Sequence, residues 1–119
     1  MGNIIKANAE YTGGGIWAFT GKFEDGTYFM ADGFDFGVRI VNANPDDVED
    51  GGAWYVEWQE EHLVRDLDTE TEGPSFILSI VDWLRENGRP GVCDSDLEYI
   101  EEHAKQYVGK KGWLYNGKD

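Results

Sequence analysis

Alternation of apolar and polar residues along the first third of the chain predicts antiparallel strands joined by short turns. Isoleucine, tryptophan and phenylalanine, which strands favour, are frequent after the glycine run at residues 13–15. Consecutive glycines supply the conformational freedom that a tight turn needs. The predicted strands cover residues 3–11, 16–24, 27–32 and 36–43.

An Asp-Gly pair at residues 25–26, with apolar residues on both sides, is the strongest local signal for a hairpin. A two-residue loop of type I′ requires positive φ at both central residues, and Asp-Gly is among the pairs that favour it. Such a loop would place Phe23 opposite Tyr28 in the paired strands. We therefore predict a tight two-residue hairpin at this point.

The middle of the chain is predicted to contain a solvated acidic loop followed by a strand. Residues 42–52 are rich in Asn, Asp and Gly, which favour loops. In the next segment Trp54, Val56 and Trp58 recur at every second position, the period of a strand. A fifth strand is therefore predicted over residues 53–59, with these three side chains on one face.

The apolar parity changes after this segment, since Leu63 and Leu67 are odd-numbered whereas the preceding apolar set is even-numbered. A straight strand cannot change parity without turning its side chains to the other face. We therefore expect a bulge or turn near residues 60–61, and then a short further strand.

The last third of the chain carries the signals of two helices. The apolar segment 76–84 begins after a Gly-Pro-Ser sequence and ends before Asn87-Gly88, which predicts a first helix buried nearly all round. Burial between the sheet and the second helix would explain its composition, and so would contact with a second copy of the chain.

The second predicted helix begins at Asp94 or Ser95. Ser95 and Glu98 have the spacing of a capping box, and Gly109 marks the end of the apolar stripe. The following tail, residues 110–119, contains Trp and Tyr and is expected to form a final strand or a strap.

These elements together predict an α+β fold. An antiparallel β-meander of five or six strands occupies the N-terminal two thirds, and the C-terminal pair of helices packs on one face. The length suits a single domain at residues 1–119, divided into a sheet at 1–67, a helical pair at 74–109 and the tail at 110–119.

Charge is unevenly distributed along the chain. The formal net charge is −14, from 24 acidic and 10 basic residues. Residues 24–72 contain 15 of the acids and, as bases, only Arg39 and Arg65. Such a surface repels the nucleic-acid backbone and anionic lipid but attracts basic proteins. We therefore expect a basic protein partner, no direct binding of nucleic acid and no membrane association.

The chain has a single cysteine, Cys93, so an internal disulfide is ruled out. Its first residues lack the apolar core of a signal peptide, and no apolar run has the length of a membrane span. A cytoplasmic location is the expectation that follows from these features.

Known catalytic and metal-binding motifs are missing from the sequence. No nucleophile elbow, P-loop or His-Glu-x-x-His motif occurs. His62 and His103 each follow two glutamates, but the Glu-x-x-His spacing of a di-iron site is not met. Residues 42–50 are rich in oxygen ligands but lack the Gly and Glu of a calcium loop. No cofactor, metal site or catalytic residue is predicted.

The preferred functional hypothesis is a non-enzymatic acidic module that binds protein. Its most concrete form is an inhibitor that mimics nucleic acid and blocks a basic, nucleic-acid-handling protein. One alternative is a small-ligand-binding protein or enzyme with a pocket between sheet and helices, and another is a structural subunit of a homo-oligomer that pairs through the 76–84 helix. The predicted partner-binding residues are Asp32, Asp35, Asp46, Asp47, Glu49, Asp50, Tyr55, Glu57, Glu60 and Glu61.

Overall fold

A computed structural model of the protein describes residues 2–88 and 92–108, without the side chains of residues 49–51. The strands are Ile4–Gly13 (β1), Ile16–Phe23 (β2), Tyr28–Asp32 (β3), Val38–Val41 (β4) and Leu63–Asp66 (β5). The α-helices are Val56–His62 (α1), Gly73–Asn87 (α2) and Asp94–Lys105 (α3). The 3-10 helices Pro45–Asp47 and Glu49–Trp54 lie between β4 and α1.

The strands form one antiparallel sheet in the order β1-β2-β3-β4-β5, so every strand pairs with its neighbour in sequence. Helices α2 and α3 cover one face of this sheet and share its hydrophobic core. The predicted α+β class, with an antiparallel meander and a C-terminal helical pair, is confirmed. The predicted first four strands and the short strand after residue 61 are present.

Side chains of β2 show how the sequence selects the covered face. Trp17, Phe19 and Phe23 are buried in the core beneath the helices, while Thr20 and Lys22 are half-buried on the opposite face. This period of two is the alternation expected of a strand with one face in the core. The face opposite α2 and α3 is called the second face below.

Phenylalanines from strands and helix α2 form the centre of the core. The Phe29 ring lies 5.4 Å from that of Phe23 and 5.1 Å from that of Phe76, which it meets edge-on. Phe29 faces Gly21 across the β2–β3 pair, and a side chain at Gly21 would occupy the space of the Phe29 ring. A glycine on the neighbouring strand therefore makes room for the Phe29 ring.

The β2–β3 hairpin differs from the predicted two-residue loop. Lys22 pairs with Tyr28, so Phe23 does not stand opposite Tyr28 as predicted. The amide of Gly26 donates to the carbonyl of Phe23 at 3.1 Å. Gly26 has a φ of 93°, but the φ of Asp25 is not positive, whereas a type I′ loop requires positive φ at both residues. A three-residue loop with a glycine bulge fits this geometry, because such a loop needs positive φ only at its last residue.

The strand predicted over residues 53–59 is wrong. The chain forms a 3-10 helix up to Trp54 and then α1, which continues through the expected turn at residues 60–61 and ends at His62. The change of direction follows the helix, where Leu63 begins β5. The apolar parity change therefore marks a helix between two strands.

Helix α2 extends the predicted apolar segment at both ends, from Gly73 to Asn87, and Gly88 with a φ of 111° ends it. Its side chains Ile77, Ile80 and Leu84 are buried, which confirms the expected burial between sheet and second helix. The homo-oligomer hypothesis stays a prediction, although the apolar surface that motivated it is largely covered inside the fold.

The start of α3 at Asp94 agrees with the prediction, but its cap does not. Cys93 occupies the N-cap position and exchanges hydrogen bonds with Asp96, whereas the predicted box used Ser95 and Glu98. The predicted stop at Gly109 and the tail 110–119 lie outside the described residues. The single-domain assignment stays a prediction. None of the helices that the structure describes is long and apolar enough to cross a lipid bilayer.

An ion pair joins α2 to α3. Arg85 Nη1 and Nη2 donate to the two carboxylate oxygens of Glu101 at 2.8 and 3.0 Å. Hydrogen bonds from Arg85 lower the pKa of Glu101, and those to Glu101 raise the pKa of Arg85. Because Glu101 titrates at a lower pH in the folded state, its stabilisation is present above the unfolded pKa and is lost as pH falls through the folded value.

We expect Glu101→Gln to lower the free energy of unfolding at neutral pH by about 0.5–1 kcal/mol, since the pair is bidentate but partly exposed. Urea titrations at neutral pH and at about pH 3 measure the difference between variant and wild type, which should shrink at the lower pH. Glu102→Gln, one residue further along α3 on its exposed side, is the control and should be neutral. A difference that is independent of pH would contradict the assigned role of the carboxylate.

Candidate docking face

Residues 42–62 fold across the second face of the sheet. The Asp46 carboxylate anchors them, since Oδ1 accepts from Thr20 Oγ1 at 3.3 Å and Oδ2 from Asn8 Nδ2 at 3.5 Å. Asn44 Oδ1 accepts from the amide of Asp46 at 2.9 Å and so caps the first 3-10 helix, in which Pro45 occupies the first turn. The predicted acidic loop is therefore folded onto the second face, and we call residues 42–54 the cover. Its Asp46 carboxylate is held by hydrogen bonds from β1 and β2.

Apolar contacts hold this cover in place. Pro45 and Ala53 are buried on it, above Met30 and Val41, which are buried on the second face. Gly52 lies so close to the Val48 side chain that a methyl group there would be 2.6 Å from Val48 Cγ1. Met30, Val41 and Ala53 are thus buried outside the main core cluster beneath α2 and α3.

Helix α1 has one face toward the protein and one toward solvent. Trp58 and His62, one turn apart, have ring centroids 4.6 Å apart, and His62 Nδ1 lies 3.1 Å from Asn42 Oδ1 at the end of β4. Both side chains are half-buried. This anchoring leaves the opposite side of a seven-residue helix free to meet solvent.

The solvent side of α1 carries three carboxylates. Glu57, Glu60 and Glu61 are all exposed, and their spacing of three and one places them on one face of a helix. Val56 shares that face and is 61% exposed, and Tyr55 before it is 70% exposed. We call these five residues, Tyr55, Val56, Glu57, Glu60 and Glu61, the α1 face.

Cations of the central segment do not neutralise the α1 face. Arg39 Nη2 lies 3.7 Å from an Asp66 oxygen, and Arg65 pairs with Glu72. Hydrogen bonds from the Asp68 amide and from Arg65 lower the pKa of Glu72, so this pair stays charged. Among the described residues, both arginines between positions 24 and 72 are therefore engaged away from α1.

A cleft of about 430 Å³ lies between the cover and the second face. Glu10 and Asp46 contribute carboxylates to its lining, and Trp54, which is 42% exposed, contributes an indole. Two carboxylates and an indole therefore border this cleft, while Lys6 and Lys22 line a smaller one beside Asp46.

Two of the predicted site residues lie elsewhere. Asp32 Oδ1 accepts from the amides of Phe34 and Asp35 at 2.7 and 3.2 Å, and Asp35 Oδ1 accepts from that of Gly37 at 2.9 Å. They shape the β3–β4 turn, whose Phe34 carbonyl lies 3.1 Å from His103 Nε2 of α3. The length of β4 separates this turn from residue 42, so the structure does not bring Asp32 and Asp35 to the α1 face.

The remaining predicted residues lie in the cover. Asp46 is the anchor described above, and Asp47 is exposed at the end of the first 3-10 helix. Glu49 and Asp50 belong to the second 3-10 helix, but their side chains lie outside the described part of the structure. Of the ten predicted positions, the structure thus groups Tyr55, Glu57, Glu60 and Glu61 most closely.

Several acids serve as turn caps, and at Asp25 the capping bonds favour the charged carboxylate. Asp25 Oδ1 accepts from Thr27 Oγ1 at 2.6 Å and from the Thr27 amide at 3.0 Å, and these bonds lower the pKa of Asp25. Asp68 Oδ1 accepts from the amides of Glu70 and Thr71. Hydrogen bonds of this kind favour the ionised carboxylate, so capping orients the negative charge without removing it.

Cys93 and His103 make contacts within the fold. Among the side chains that the structure describes, no three of His, Cys, Asp or Glu converge as metal ligands would. Cys93 Sγ donates to Asp96 Oδ2 at 3.0 Å as part of the α3 cap. His103 stacks against Phe34 with centroids 5.7 Å apart, as a packing residue does.

The helical spacing of the α1 glutamates was a signal that sequence reasoning missed. Glu57, Glu60 and Glu61 recur with a helix period, and Trp58 with His62 has the i, i+4 spacing of the opposite side. Over so short a segment, the Trp and Val positions fit a strand as well as they fit a helix. The charged positions distinguish the two, because only a helix places all three on one face.

The chain was compared with protein-family models, with curated proteins and with solved structures, and no significant match was found.

Proposed function

We propose that the protein is a non-enzymatic, acidic binding module that docks through the α1 face onto a basic surface of a protein partner. The observation that carries this proposal is the α1 face itself. Its three carboxylates share one side of a helix with exposed Tyr55 and Val56, and the arginines of the central segment pair elsewhere.

The mixture of charge and apolar surface suits a protein partner. Exposed carboxylates steer a basic partner into encounter and set its orientation. Tyrosine is frequent among the residues that dominate binding energy, because it buries a large area at a small entropy cost. Glu57, Glu60 and Glu61 would surround this anchor as a polar rim, which is the usual arrangement of an interface.

Mimicry of nucleic acid is the particular form of docking that we favour. The described residues contain 23 acids and six bases, so a partner with a basic channel meets strong negative potential. Spacing on α1 differs from that of a strand, because carboxylates one helical turn apart are separated by about 5–6 Å along the axis. Charge density, rather than an exact phosphate register, supports this form.

Affinity capture from cell extract at two salt concentrations tests the proposal. We expect a basic protein to be retained at about 0.05 M salt and released at about 0.5 M, because exposed charges are screened over a shorter distance at high salt. Capture that is indifferent to salt, or retention of acidic proteins only, would contradict it. Excess duplex DNA should displace the partner if it is a nucleic-acid-handling protein, and failure to do so would remove mimicry while leaving docking intact.

A further inference from the structure

A second concave site lies on the side of the sheet that the helices cover. It is a cleft of about 470 Å³ between the β1–β2 turn and α3. The lining residues are Tyr11, Gly15, Trp17, Asp96 and Tyr99. Three aromatic rings and one carboxylate from separate parts of the chain therefore face one space.

The aromatic rings are held in place before any ligand arrives. Tyr11 Oη accepts from the amide of Gly15 at 2.9 Å, which fixes the ring across the turn. The Tyr11 and Trp17 ring centroids are 5.2 Å apart with planes inclined at 59°. Trp17 is only 7% exposed and forms the floor, whereas Tyr11 is 54% exposed.

Tyr99 of α3 closes the other side. A side chain at Gly15, whose φ is +80°, would come within 3.0 Å of Tyr99 Oη, so the glycine lets α3 approach the turn. Tyr99 is 55% exposed despite this contact. Tyr11 and Tyr99 thus form two walls of the cleft, and neither ring is buried in the hydrophobic core.

Asp96 supplies the charge in the cleft. Its Oδ2 accepts from the Cys93 amide at 3.2 Å and from Cys93 Sγ at 3.0 Å. These bonds fix the carboxylate at the start of α3, and none of the described residues donates a hydrogen bond to Oδ1. A carboxylate oxygen at the edge of an aromatic cleft prefers a cation.

We propose that this cleft binds the cationic head of a lysine or arginine side chain presented by another protein. Aromatic faces attract alkylammonium and guanidinium groups, and Asp96 would neutralise the charge. The exposure of both tyrosines makes the cleft open, so it can cover the end of a side chain but not enclose a free amine. The site does not rest on the α1 face, since residues 42–54 cover the opposite face of the sheet.

The probe is the peptide acetyl-Gly-Arg-Gly-amide, followed by NMR amide shifts of the full chain. We expect saturable shifts at Gly15 and Tyr99 only at peptide concentrations of about a millimolar or more, because each cation–π contact at an exposed site is worth only about 0.5–1 kcal/mol. The citrulline peptide of the same shape, which has no charge, should not shift these amides. Equal shifts with citrulline would overturn the proposal.

Variants then locate the binding. Tyr99→Ala should weaken peptide binding by about two- to five-fold, and Tyr99→Leu, which keeps apolar bulk but removes the π face, should do the same. Tyr55→Ala on the α1 face is the matched control and should bind as wild type does. Wild-type affinity in both Tyr99 variants would contradict the site. Tetramethylammonium bound as tightly as the peptide would overturn the assignment to a protein side chain.

Discussion

Replacing Phe29 by alanine is expected to lower the free energy of unfolding by about 3–5 kcal/mol. Phe29 is completely buried, and its ring meets those of Phe23 and Phe76 at the junction of the sheet with α2. The space beside it exists because Gly21, the residue directly opposite on β2, has no side chain, so that position offers nothing that could extend into the cavity. Both the lost burial and the unfilled cavity therefore contribute to the loss.

Equilibrium unfolding in urea measures this loss, and Phe34→Ala is the control of identical chemistry. Phe34 is 51% exposed in the β3–β4 turn, where it stacks on His103. Its replacement should cost about 1 kcal/mol, the value of one aromatic contact at the surface. Equal losses in the two variants would contradict the position of Phe29 at the centre of the core.

The sheet and the helical pair could be predicted from sequence because several local signals agree there. In β2 the alternation of Trp17, Phe19 and Phe23 with polar residues coincides with strand propensity and with flanking glycine turns. In α2 the apolar segment is bounded by Gly73-Pro74 and Gly88, which fix its ends independently of its composition. Such elements can be predicted from one sequence because their propensity and boundary signals agree.

The local signals of residues 53–62 conflict, because the apolar positions fit a strand whereas the glutamate positions fit only a helix. Tyr55 at the N-cap makes no side-chain capping bond, so nothing in the sequence marks the start of α1. The helix is held instead by tertiary contacts, of Trp58 with His62 and of His62 with Asn42. Such contacts join parts of the chain whose proximity a sequence pattern does not contain.

Turn and cap chemistry shows the same limit on a smaller scale. Asp25-Gly26 correctly marked a hairpin, yet the loop length depends on which strand pairing packs Phe29 over Gly21. At α3 the sequence predicts a capping box of Ser95 and Glu98, but Cys93 occupies the N-cap position and Asp96 completes a box with it. Local preferences identify the turn or the helix, and packing selects the residue that forms it.

The candidate site was partly predictable. The acid excess of residues 24–72 and the exposure of Tyr55 follow from composition and pattern, and both are present in the structure. The separation of Asp32 and Asp35 from α1 follows from strand direction. The turn that contains them precedes β4, whereas residue 42 follows it. Grouping acids by sequence distance alone cannot reveal such a separation.

Neutralising the α1 face is expected to weaken binding of the captured basic partner by about 10- to 100-fold at low salt. The variant combines Glu57→Gln, Glu60→Gln and Glu61→Gln, and each lost exposed charge is worth up to about 1 kcal/mol at an interface. Glutamine preserves side-chain length and helix propensity, so α1 should keep its fold. The loss should diminish as salt rises, because the interaction is screened.

A second triple variant separates position from net charge. Asp82→Asn, Glu86→Gln and Glu98→Gln remove the same number of charges from exposed positions on α2 and α3, the helices that cover the other face of the sheet. Their effect on partner affinity should stay within about three-fold, since charges distant from a contact act weakly through screening solvent.

Titration calorimetry of the partner against both triple variants at low salt is the most direct test of the α1 face as the docking surface. The predicted result is a loss of at least about ten-fold for the α1 variant and near-wild-type affinity for the α2/α3 variant. Equal losses in both variants, or undiminished affinity in the α1 variant, would contradict docking through α1.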